Sequence, residues 1–127
     1  MRAPEALTGV RIVGPASVLD AIALPEREAA LRLAPDDLLV LLDSAKFRYP
    51  GPEPLIQEDE RGFVGWWLAP EELEHVAHHA DWPLPAERPA LAQGLIAGVP
   101  ARLWLGTDRS LLLCSAAYAH ELIERLG

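Results

Sequence analysis

The chain has 127 residues, half of them hydrophobic, which is enough for a real core in one domain and too apolar for a disordered segment. Its net charge is −8, with nineteen acids against ten arginines and the single lysine, Lys46. It therefore repels phosphate backbones, and nucleic acid is not expected as a partner. Cys114 is the only cysteine, which excludes an internal disulfide and any multi-cysteine zinc or iron–sulfur site.

The opening "MRAPEALTGV" lacks the apolar stretch of a signal peptide, and no apolar run approaches the length of a membrane span. A soluble, cytoplasmic protein without a membrane partner is the expectation. Abundant Ala, Leu, Arg and Pro beside one Lys is a composition associated with high-GC bacterial genomes.

"GVRIVG" at 9–14 alternates apolar residues and predicts a strand. "PASVLDAIAL" follows as a helix, with Pro15 suited to the first helical position and Val18, Leu19 and Ile22 at helical spacing; Pro25 stops it. "AALRL" at 29–33, the turn "APDD" and "LLVLL" at 38–42 predict a hairpin whose second strand is apolar on both faces, hence central and covered. Residues 43–60 break the pattern, because the prolines and glycine of Pro50–Pro54 forbid regular structure there.

"GFVGWWL" at 62–68 predicts a strand. Pro70 opens a helix running to about Ala80, with Glu71 and Glu72 favourably placed in its first turn. "DWPLPAERP" is a connection. "QGLIAGVPARLWL" predicts one bent or interrupted strand, since Gly98 and Pro100 fall within it. "GTDRS" is a turn, "LLLC" a strand, and a last helix over 116–126 follows. Ser115 is its expected cap, and Ala119, Leu122, Ile123 and Leu126 are its buried stripe.

This order predicts an α+β fold, a mainly antiparallel sheet with two or three helices packed on it. It is one domain over 1–127, with a Pro-rich loop at about 43–60 between two half-domains. "ALRLAPDDLLVLL" (30–42) and "ARLWLGTDRSLLL" (101–113) share one design of strand, acidic turn and apolar strand. That fits two related β-α-β-β halves, although Leu-rich hairpins also look alike by composition alone.

The runs "GFVGWWLAPEELEHVAHHADWPLP", "QGLIAGVPARLWL" and "LLLCSAAYAHELIERL" together resemble the layout of the gamma subunit of heterotetrameric sarcosine oxidase, a relative of aminomethyltransferase-like, folate-binding folds. In that layout a strand and helix lead to a Pro-Leu turn, a strand pair follows, and the final helix opens with Ser and Tyr-Ala or Phe-Ala. Upstream, "LRLAPDDLLVLL" resembles the strand carrying "GPDEWLLL". The resemblance covers about residues 28–126. This chain departs from it in having no Trp in "PDDLLVLL" and in being shorter. The resemblance implies a noncatalytic subunit that packs on larger flavin- and folate-binding chains, and it supplies no catalytic residue.

Three of the four histidines stand in "EELEHVAHHADWPLP". Leu73, Val76, Ala77 and Ala80 at i, i+3, i+4, i+7 predict the buried face, which sends Glu71, His75, His78 and His79 towards water. His75 and His79 at i, i+4 have chelate spacing for Zn²⁺ or Ni²⁺, and Glu71 could add an oxygen. There is no HExxH motif and no nearby cysteine. The plainer reading is a solvated face with an i, i+4 Glu71–His75 pair and histidines favoured by the helix C-terminus. No metal and no cofactor are therefore expected.

Cys114 ends a strand just before a helix N-terminus, where a thiol pKa can fall; the plainer reading is a buried small hydrophobe. His120 is poorly placed to act as its base. Asp36, Asp37 and Asp108 suit turns and lack the spacing of a calcium loop. Phe47, Arg48 and Tyr49, beside Lys46 in the Pro-rich loop, are the residue types that anchor interfaces. Trp66 and Trp67 are adjacent in a strand, so one faces the core and the other the opposite side. Trp104 shares a face with Arg102 and is expected to be exposed or half-covered. These six (Phe47, Arg48, Tyr49, Trp66, Trp67 and Trp104) are the interface candidates. The function expected is an accessory subunit or adaptor, not catalytic alone, whose partner is another protein chain or a second copy of itself. The alternatives are a small-ligand module stacking folate-like or other aromatic groups on tryptophan, and a metal-dependent enzyme built on the histidines.

Overall fold

The computed structural model describes residues 1–24, 29–41, 51 and 55–127. The chain divides into two compact units, one over Leu7–Arg61 and one joining Met1–Ala6 to Gly62–Gly127. Each has its own antiparallel sheet, so the α+β expectation holds with two sheets in place of one.

β1 (Glu5–Ala6) belongs to the second unit. The first unit contains β2 (Gly9–Val13), α1 (Ala16–Asp20), β3 (Ala29–Ala34), β4 (Asp37–Leu41) and β5 (Ile56–Glu60), with the sheet order β3-β4-β2-β5. The hairpin read from "AALRLAPDDLLVLL" pairs Ala29 with Leu41 and Ala34 with Asp37. β4 is central, and Leu38 to Leu41 are all buried. Pro15 sits just before the first helical residue, and its carbonyl accepts the Val18 and Leu19 N–H groups. The helix is only five residues long, yet it buries Leu19 against Val10, Ile12, Leu38 and Val40.

Two features of this unit differ from the sequence reading. Ile56–Glu60 is a strand, at the end of the stretch expected to be irregular; "IQEDE" shows no apolar alternation because β5 is an outer strand with mostly exposed side chains. Asp37 does more than shape a turn. Arg11, in the interior strand β2, donates from Nε and Nη2 to the Asp37 carboxylate (3.0 and 2.6 Å) and from Nη1 to Glu60 (3.3 Å). The Asp37 hydrogen bonds, and then the two carboxylate charges, raise the Arg11 pKa above its ordinary value despite partial desolvation.

The second unit adds β6 (Phe63–Leu68), α2 (Pro70–Ala77), β7 (Ala90–Ile96), β8 (Val99–Leu105), β9 (Ser110–Ser115) and α3 (Ala119–Leu126), in sheet order β1-β6-β9-β8-β7. Both helices cover one sheet face. Val76 of α2 and Leu122 and Leu126 of α3 join Trp66, Leu68, Ile96, Val99, Leu103, Leu105, Leu112 and Cys114 in one core. The strand run β5-β2-β4-β3 has its counterpart in β1-β6-β9-β8, with β7 added outside β8. The two look-alike sequence stretches are thus β3–β4 and β8–β9, in equivalent sheet positions.

The bent strand expected over 93–105 is instead a tight hairpin, β7–β8, closed by Ala97 and Gly98 at φ +50° and +78°. Two successive left-handed residues make a type I′ turn, the one whose twist matches paired strands. Alanine disguised it, because only the second position carries the expected glycine. The last helix also starts differently. Ala116–Tyr118 forms a single 3₁₀ turn, and the Ser115 side chain makes no capping bond. Since Ala97 holds a conformation that costs an L-residue roughly 1 kcal/mol, Ala97→Asn, restoring the favoured Asn-Gly pair, is expected to raise stability by about 0.5–1 kcal/mol in thermal or urea denaturation.

Candidate functional site

The histidine segment lies on α2. Glu72 accepts the Ala69 N–H at 2.9 Å, which is one half of a capping box; alanine cannot supply the other half. That bond first, and then the ion pair with Arg2, hold the Glu72 carboxyl below its usual range. Arg2 also donates to the Trp67 carbonyl, and its own carbonyl accepts the Trp66 indole N–H at 2.8 Å. The N-terminal segment thereby ties the start of α2 to the end of β6.

Helix phase places Val76 in the core, with Leu73 and Ala80 packed against it and Ala77 partly buried. His78 is exposed, as expected. His75 is exposed too, yet its Nε2–H donates to the Leu126 carbonyl at 2.9 Å. It turns to the C-terminal end of α3 and away from the expected partner Glu71. His79 is half-buried and packs edge-on against His75, ring centroids 5.1 Å apart. Among the described residues no three His, Cys, Asp or Glu side chains converge as metal ligands would. α2 ends at Ala77, three residues before the expected stop, because Ala80 leaves the helix to bridge Ile96.

The tryptophans separate by strand parity. Trp66 is 1% exposed and lies in the core, so its ring is withdrawn from any surface. Trp67, on the opposite face, is half-buried; Trp104 meets it edge-on at 6.2 Å, and the Arg109 guanidinium lies 4.0 Å over its ring. Trp104 is 9% exposed, more buried than its sequence context suggested, and its ring rests on Gly106, where a Cβ would fall 2.6 Å from it. On the same sheet face Arg102 stacks over Phe63 at 5.5 Å and donates from Nε to Gln93 (2.7 Å). Arg109 and Phe63 were not singled out from the sequence. Their signal is parity: Phe63 and Trp67 are an even number of residues apart in one strand. Phe47, Arg48 and Tyr49 lie outside the described residues.

Cys114 is buried in the core, and desolvation pushes its thiol up to about 11. That is the reverse of an activated cysteine. His120 is paired instead with Glu124, 3.1 Å away on its own helix.

Comparison with known protein families and with curated proteins returns no match. Among solved structures the chain is similar to one from Corynebacterium sp. U-96, a heterotetrameric sarcosine oxidase in complex with pyrrole 2-carboxylate. The TM-score is 0.71 at 17% identity, covering 97% of this chain and 79% of the matched one. At that identity the likeness is one of fold. It agrees with the resemblance seen in the sequence and extends it upstream of residue 28.

His75→Ala removes a bond between two helices and is expected to destabilise by about 1 kcal/mol in urea denaturation, whereas His78→Ala stays within about 0.5 kcal/mol of the parent. Equal losses for both would show that the Leu126 contact contributes nothing. For Cys114, the unfolded chain releases the thiol proton near pH 9.0 and the folded chain only near 11. The folded state therefore holds more protons between those values, and stability falls as pH rises through them, by ~2–3 kcal/mol. The difference between the parent and Cys114→Ala stability curves across that window isolates this contribution.

Proposed function

We propose that this chain is an accessory subunit that acts by contact with other protein chains and carries no reaction alone. The observation that supports this most is the fold likeness, over nearly its whole length, to a chain of a heterotetrameric oxidase. The chemistry of the described residues fits the reading. The lone thiol is buried and hard to ionise, while His75 meets a helix end and packs against His79. By contrast Trp67, Arg109, Phe63 and Arg102 gather aromatic and guanidinium groups on one sheet face, the residue types that dominate interface energetics.

Among the described residues no helix is long and apolar enough to cross a membrane, and the net charge disfavours nucleic acid. A protein partner is the class that remains favoured. Isolated from its native host at natural abundance, the chain is expected in a stoichiometric complex with at least one larger, different chain, read by native size-exclusion and mass spectrometry. Trp67→Ala should weaken that complex at least ~10-fold if Trp67 anchors it. Recovery of this chain free of any other polypeptide would overturn the proposal.

A further inference from the structure

Register sorts the five-stranded sheet into rows, because residues paired directly across strands present their side chains on one face. Phe63 pairs with Ser115, and Pro100 pairs with Leu95. Arg102 pairs with Leu113, so two residues further along each strand Pro100 stands opposite Ser115. The antiparallel Ala80–Ile96 bridge carries the row past β7, setting Asp81 opposite Leu95. Ala80 and Trp82 both pack into the helix-covered core, which turns Asp81 to the other face, the one Leu95 shares. Phe63, Ser115, Pro100, Leu95 and Asp81 thus form one row on the sheet face away from α2 and α3.

The two rows beside it are closed at their centres. Leu113 and Leu111 are fully buried there, and Trp104 nearly so. The end row is open. Leu95 is 48% exposed, Pro100 and Asp81 are exposed, and Phe63 and Ser115 are partly so. Exposed apolar residues scattered singly need no explanation. Here Phe63, Pro100 and Leu95 stand in line with only Ser115 among them, which makes an apolar strip along the margin of the face.

The two ends of the strip differ in charge. At one end the Arg102 guanidinium lies 5.5 Å over the Phe63 ring. At the other stands Asp81, which has no ion-pair partner among the described residues. An apolar strip ending in a carboxylate without a cation fits apolar side chains flanked by a positive charge. A second copy of the chain is the poorer occupant, since its net charge of −8 sets an excess of acid against Asp81. A different chain has no such restriction. We propose that this row is where the larger chain docks, seating apolar side chains on Phe63, Pro100 and Leu95 and an arginine or lysine against Asp81. The proposal rests on the accessory-subunit reading and narrows it to one end of one sheet face.

The complex isolated from the native host tests this, with its dissociation on dilution read by native size-exclusion. Leu95→Glu sets a charge in the apolar strip, and Asp81→Lys opposes the partner's cation. Each is expected to weaken the complex at least ~10-fold. Both side chains are exposed, so the melting temperature of the free chain should stay near that of the parent. Asp81→Asn removes only the charge and should make the affinity less sensitive to salt. Leu95→Cys supplies a readout that a folding defect does not imitate. It places a reactive thiol on the row of a chain whose own Cys114 is buried. Alkylation of that thiol should be at least ~10-fold slower in the assembled complex than in the free chain. Unchanged affinity in the folded Leu95→Glu and Asp81→Lys variants, or equal alkylation rates, would overturn the docking row and leave the accessory role standing. Recovery of the parent without any other chain would overturn both.

Discussion

The burial of Val76, Leu122 and Leu126 against one face of the five-stranded sheet is the constraint on which the second unit depends. Each such side chain contributes roughly 1.5–3 kcal/mol through apolar surface removed from water. Their effect on function is one of phase. Once Val76 points inward, the 100° step of the helix dictates where every histidine goes. Once Leu126 is buried, the end of α3 comes within reach of His75. The same core takes in Trp66 and, by strand alternation, turns Trp67 to the other side. The placement of the α2 histidines follows from the packing of hydrophobic residues on either side of them.

Polar groups in both units are tied up in pairs that hold elements in place. Arg11 in an interior strand holds two carboxylates from its neighbours, and Arg2 holds Glu72 at the start of α2. Arg125 pairs with Glu121 and reaches the Ala97 carbonyl at the β7–β8 turn. Exposed ion pairs such as these contribute little to stability individually. Their role is register: each cation with partners on separate elements favours one alignment of them.

The repeated strand order gives a physical account of the look-alike hairpins. In both sheets a hairpin with an apolar inner strand lies beside the strand that precedes it through a helix. The inner strands β4 and β9 are buried on both faces and read as unbroken apolar runs, which is why these were the clearest signals in the chain. The outer strands vary, because an edge is constrained on one side only. β5 is acidic, whereas β7 carries no charged residue.

The amino-acid order by itself determined the elements with a strong apolar period: β2, the β3–β4 hairpin, β6, α2, β9 and α3, together with the α+β class and the inward residues of both long helices. It did so because burial in those elements is local and periodic. It left three things to the tertiary structure. β5 was hidden, since an outer strand of charged residues has no alternation to read. The β7–β8 turn was hidden, since alanine at positive φ is held there by the strands it joins and carries no signal of its own. The partners of His75, Arg11 and Trp67 were hidden for a common reason. Leu126, Asp37 with Glu60, and Arg109 lie 26 to 51 residues away along the chain, and no spacing rule spans such a distance. Periodicity tells a side chain which way to face, and only the assembled sheet and helices decide what it meets there.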